Sequence, residues 1–149
     1  MDLYIVIIFL FIMAPIATFI HEFGHAIGAR MRGADNVNLS LGTGNKCIHF
    51  NLNNIHITIC SLYFLGGLVW SNRSTPYSNS ELVLIALSGP ISNGMVALVS
   101  FIPFYFIPNS YLSVFILFNL WLCIMNLIPF KIKQKKSDGY TIWQVLFEK

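Results

Sequence analysis

The stretch Leu3–His25 reads LYIVIIFLFIMAPIATFIHEFGH. Its first part, Leu3–Ile20, carries Thr18 as the only clearly polar side chain, which is the length and composition of a membrane-crossing helix. The helix then runs directly into His21-Glu22-Phe23-Gly24-His25, an H-E-x-x-H pattern. Helical residues four apart lie on one face, so the two imidazoles can converge on a single ion. Glu22, beside the first of them, is placed to act as a general base on water. At ~1.5 Å per residue His21 stands about 27 Å from Leu3, at or just beneath the cytoplasmic boundary of a ~30 Å hydrocarbon core. Ionisable groups there are costly unless paired, and a shared divalent cation is the simplest partner. A cleaved signal peptide would need a basic leader and a shorter apolar run, whereas Asp2 precedes this one.

The rest of the chain has the same character. Of 149 residues 56% are hydrophobic and only 10% charged, with a mean hydropathy of +0.68. Soluble domains carry about 25% charged residues, so the composition excludes a disordered tail and a nucleic-acid binder and argues against a cytosolic globule. Two more apolar stretches follow: Leu82–Ile107, interrupted by Ser88-Gly89-Pro90-Ile91-Ser92-Asn93-Gly94, and Tyr111–Phe130, containing Asn119 and Asn126. The reading is a mainly α, polytopic membrane protein of one domain (1–149), with spans at about 3–29, 82–107 and 111–130. Arg30, Arg32, Lys46 and Arg73 fall between spans one and two; Lys131, Lys133, Lys135, Lys136 and Lys149 follow span three. Three spans put both groups on one side, which the positive-inside rule makes cytoplasmic, with the N-terminus outside. The lysine run is either a topology anchor or a contact with anionic lipid.

Between spans one and two, Val37, Leu39, Leu41, then Ile48, Phe50, Leu52, then Ile55, Ile57, Ile59 alternate as strands do. Asn53-Asn54 suits a two-residue hairpin turn, and Thr43-Gly44 or Gly44-Asn45 would turn the preceding pair. The expectation is a small antiparallel β-sheet over about 37–63 at the cytoplasmic membrane face, with His49 and His56 on its polar side. Cys47, Cys60 and Cys123 share no metal-ligand spacing and read as three separate small apolar residues.

Two His ligands are too few, because a catalytic zinc normally takes three protein ligands. Among the remaining acids, Asp138 returns to the depth of His21 after span three, although Asp138-Gly139 also reads as an ordinary turn. At this point the chain resembles the site-2 protease family of intramembrane zinc metalloproteases. The features occur in the family's order: His21-Glu22-Phe23-Gly24-His25, then Phe64-Leu65-Gly66-Gly67, then Ser88-Gly89-Pro90-Ile91-Ser92-Asn93, then Asn126-Leu127-Ile128-Pro129 leading to Asp138-Gly139. The resemblance implies a three-helix catalytic core, one zinc ion held by His21, His25 and Asp138, and Glu22 as the catalytic acid–base. It also implies cleavage within or next to a transmembrane segment of a membrane-embedded protein or peptide. Asn126 and Asp138 stand twelve residues apart, longer than the family's usual spacing, and the lysines between them must leave the membrane and return.

Asn93 and Asn126 are candidate donors to the substrate backbone or developing oxyanion, or else interhelical hydrogen-bonding residues. An edge of the sheet around Ile48–Ile59 could pair with an extended substrate. The competing class is an inactive pseudoprotease that binds partner helices. Three spans and short loops suit a bacterial-type plasma membrane.

Overall fold

The computed structural model describes residues 3–148. Helix α1 runs over Leu3–Met31, α2 over Asn79–Phe106 and α3 over Ser110–Leu127, and all three are long and apolar enough to cross a membrane. Outward residues such as Leu98, Ile102, Leu117 and Ile124 stay exposed, as lipid-facing side chains do. Ser78 and Glu81 cap the start of α2 reciprocally, and Asn109 caps α3 through Leu112 N–H.

α1 has one irregularity, a π-helical turn at Phe9–Met13, just before Pro15. Proline has no N–H, so the carbonyl four residues earlier, that of Phe11, loses its usual donor. The Tyr63 hydroxyl supplies one at 3.1 Å. That bond fastens the sheet to α1 about 15 Å from His21 toward the N-terminus of the helix.

The sheet is built from two long bent strands, β1 (Asn36–Leu52) and β2 (Ile55–Asn72), paired antiparallel across the Asn53-Asn54 turn. Both turn residues have positive φ, 48° and 65°, as the hairpin expectation required. The strands also fold back on themselves. Val37, Leu39 and Leu41 stand in step beside Ile55, Ile57 and Ile59, while on their other side they meet Ser71, Val69 and Gly67. The order across the sheet is therefore Ile48–Leu52, Ile55–Ile59, Val37–Leu41, Gly67–Ser71. Gly42 and Gly44, at φ 75° and 133°, take the bend in β1.

The apolar face packs Val37, Leu39, Ile55 and Ile57 against Ala26 and Ala29 of α1, with Phe19 and Phe23 alongside. β2 continues past Gly66-Gly67, where the alternation breaks down, so the sheet is longer than 37–63. Its register also corrects the reading of the cysteines: Cys47 and Cys60 are cross-strand partners joined by a disulfide, and Cys123 alone is free. The register creates that proximity, which no sequence spacing reveals.

α1 and α2 touch through small residues. A side chain on Gly24 would meet the Ser92 hydroxyl and the Ser88 carbonyl, and one on Gly28 would meet the Ser88 hydroxyl. Ser88 and Ser92 bond their own helix, to Leu84 and Ser88 carbonyls at 2.7 and 2.8 Å, so the contact buries no unpaired hydroxyl.

After α3 the chain forms a small hairpin, β3 (Lys131–Ile132) and β4 (Lys135–Lys136), then helix α4 (Asp138–Phe147). The hairpin is closed at its base by Ser137 N–H donating to Phe130 O and Phe130 N–H donating to Ser137 Oγ, each at 3.0 Å. The lysines are thus looped out and the chain returns to where it left α3. Asp138-Gly139 is the first turn of α4 rather than a free turn, with Ser137 Oγ capping Tyr140 N–H.

Candidate functional site

His21 and His25 lie one turn apart on α1, ring centroids 4.8 Å from each other. His21 Nδ1 contacts Asn93 Oδ1 at 2.7 Å, and His25 Nδ1 contacts the Ile85 carbonyl at 2.8 Å. Both partners are acceptors, so each ring places its proton on Nδ1 and leaves the Nε2 lone pair available. The two Nε2 atoms are 3.2 Å apart. Asp138 closes the triangle, with Oδ2 3.1 Å from His21 Nε2 and Oδ1 3.2 Å from His25 Nε2. Four ligands around zinc at ~2.0–2.1 Å stand about 3.3 Å from one another, so the spacing and the donor chemistry of this trio both fit such an ion. Among the described residues this is the one group of three or more His, Cys, Asp or Glu placed to hold a metal.

Each ligand is set by a local steric condition. Gly89 faces His25, and a side chain there would overlap the imidazole. Gly139 faces the Leu127 carbonyl, so a glycine is needed for α4 to dock under α3 with Asp138 at the rings. Gly139→Ala should push Asp138 away while leaving the three spans in place. Zinc affinity should fall at least tenfold with helix content unchanged, and unaltered affinity would contradict this docking account.

Asn93 is fully buried and fully engaged. Its Oδ1 accepts from His21, and its Nδ2 donates to Ala17 O at 3.0 Å and Asn119 Oδ1 at 2.8 Å. This corrects the expectation that Asn93 offers a donor to substrate: it has none to spare and instead holds His21. Asn119, equally buried, extends the chain of bonds to Phe115 O at 2.8 Å. A polar amide amid an apolar span was its only signal in the sequence. Asn126 lines the cleft with one amide hydrogen spent on Leu122 O at 2.9 Å.

Asn93 sits roughly 17 Å along α2 from Leu82 and 20 Å from Phe106, so His21 stands beside the middle of that helix, while Asp138 reaches it from just beyond the C-terminal end of α3. A cleft of about 450 Å³ reaches the site. Glu22 lines it, packed so closely on Gly67 that a Cβ there would stand 2.6 Å from Glu22 Cγ. Gly67–Ser71 and the hairpin residues Gln134, Lys135 and Lys136 also line it.

A family model described as Peptidase family M50 matches residues 6–110, which include His21, Glu22, His25 and Asn93. The chain belongs to peptidase family M50. Comparison with the curated proteins gives no match. M50 is the site-2 protease family, so at family level this chain is an intramembrane metalloprotease, and its three apolar helices fit a multi-pass membrane protein. The M50 match ends before Asn119, Asn126 and Asp138, which enter the site through the geometry of α3 and α4.

Proposed function

We propose that the chain is a zinc-dependent intramembrane endopeptidase that hydrolyses a peptide bond within or next to a transmembrane segment of a membrane protein or peptide. The observation that carries this is the meeting of His21, His25 and Asp138, drawn from opposite ends of the chain, beside Glu22 in a membrane-depth cleft. Zinc held by the trio would supply a Lewis acid for the scissile carbonyl and lower the pKa of the attacking water. The protein's own groups do the rest. His21 and His25 are held in the right tautomer by Asn93 and Ile85, Glu22 takes the proton from water, and Glu22 returns it to the leaving amine. Asn126, with a second amide hydrogen, is the remaining candidate donor to the oxyanion.

A helical peptide has its carbonyls occupied, so the substrate must be extended at the cut. The strand edge that borders the cleft is Gly67–Ser71, not Ile48–Ile59, and it has no strand partner on its cleft side among the described residues. Val69→Pro, which removes an N–H on the cleft side of the strand rather than one in the β1 ladder, should lower kcat/KM about tenfold, with zinc content unchanged. An equal rate would contradict strand pairing.

The direct test is incubation of zinc-loaded protein with a single-span peptide, followed by mass spectrometry. Cutting within or next to the apolar segment, abolished by a chelator, is expected; intact peptide across a varied panel would favour the pseudoprotease. What favoured that alternative in the sequence, the long Asn126–Asp138 spacing, is accounted for by the looped-out hairpin.

We assign the N-terminus to the outside and the cleft mouth to the cytoplasm, following the basic residues. Arg30, Arg32, Arg73 and the lysines of the hairpin carry this assignment, while the Cys47–Cys60 disulfide belongs to the end of the sheet that Tyr63 fastens back toward the N-terminal part of α1. A cysteine introduced at Lys133 should label only from the cytoplasmic side; labelling from outside would reverse the assignment.

A further inference from the structure

The hairpin β3–β4 absorbs the extra residues before Asp138, yet a shorter neutral turn would do that equally well. It instead carries four lysines in six residues, all exposed. Among the described residues none of them has a carboxylate within 4.0 Å, the ion pairs being His21–Asp138, His25–Asp138 and Arg73–Glu81. Lys131 and Lys136 are direct cross-strand partners, an arrangement of like charges that destabilises a hairpin. The one polar partner is neutral: Lys136 Nζ donates to Gln144 Oε1 at 2.6 Å, beneath which the Tyr140 ring centroid lies 5.6 Å away. The hairpin is therefore a positive charge without its counter-charge.

Its position says where the counter-charge belongs. Gln134, Lys135 and Lys136 line the same cleft as His21, Glu22, Asp138 and Gly67–Ser71. A peptide lying along that strand edge with a carbonyl at the trio shares the cleft with the hairpin. We infer that the lysine hairpin is a specificity element that selects substrates with acidic side chains in the cytoplasmic flank of the scissile bond. This rests on the protease reading and names its substrate class. A hairpin serving only as an anchor to anionic headgroups would have no reason to line the cleft, so the observations favour a peptide over lipid.

The test uses zinc-loaded protein in phosphatidylcholine vesicles and single-span peptides that differ only in a cytoplasmic flank of three Glu, three Gln or three Lys. Binding is read by anisotropy on the Glu22→Gln protein and cleavage on the wild type. The Glu flank should be favoured over the Gln flank about tenfold at low salt, the combined effect of a few exposed ion pairs, and the preference should shrink as salt rises. Lys135→Gln should reduce the preference, and Lys135→Glu should shift it toward the Lys flank. Unchanged preference in these variants, or an equal loss with all three peptides, overturns the inference. So does a preference that emerges only when phosphatidylglycerol is added, which would assign the lysines to the membrane. Charge-selective binding without cutting would contradict the protease reading alone, and cutting indifferent to charge would contradict this inference alone.

Discussion

Glu22→Gln should abolish proteolysis while leaving fold and zinc content as they are. Glutamine has nearly the shape of glutamate and preserves the packing against Gly67, but its amide cannot accept the proton of an attacking water. General acid–base groups contribute about 10²- to 10⁴-fold, and Glu22 serves both halves of the reaction, so the loss should lie toward the upper end. The checks are initial rates on a single-span peptide and zinc per chain on the same sample. A variant that retains zinc and more than about a tenth of the wild-type rate would mean that another group moves the proton.

Asn93→Leu should produce the second large effect, through metal affinity and stability together. The substitution removes the acceptor that fixes the His21 tautomer and leaves Asn119 Oδ1 without its donor, while Ala17 O keeps only its helical bond. Outer-shell partners of metal-bound His are typically worth 10- to 100-fold in affinity. Each buried polar group left unpaired costs about 1–3 kcal/mol. Zinc competition titration should show affinity down by one to two decades, with the apo-protein melting at lower temperature. Asn119→Ala, which removes the acceptor for Asn93 but not the acceptor for His21, should lower stability and alter zinc affinity less. Equal affinity losses in the two variants would contradict the division of roles.

These two residues also show how far the sequence could be read. Glu22 was legible because H-E-x-x-H fixes both helix face and neighbour order within five residues. Asn93 was visible as a polar residue in a span with substrate donor and interhelical bonding both open, and only the packing of α1 on α2 shows that both ends of its amide are taken. Asp138 was the best-placed acid by topology, since span three descends beside span one, but an ordinary Asp-Gly turn read equally well until the resemblance to the site-2 protease family implied a ligand there. The means of its return, Ser137 closing the lysine hairpin and Gly139 meeting Leu127 O, depends on contacts between distant residues. α4 was missed because its ten residues begin with Asp-Gly, a turn signal.

The same divide runs through the sheet. Alternation at Val37–Leu41 and Ile55–Ile59 showed the strands, and the paired asparagines at 53 and 54 showed the turn. Alternation is silent about which strand lies beside which. The in-step pairing, the Cys47–Cys60 bond and the location of Gly67–Ser71 on the cleft all follow from that order.

The account depends on three residues forming one metal site, and zinc stoichiometry in the purified wild type and Asp138→Ala tests it most directly without any substrate. With a ligand set of this kind, about one zinc per wild-type chain is expected, with little or none in Asp138→Ala at matched helix content. Equal zinc in the two, or none in a folded, zinc-supplemented wild type, would contradict it.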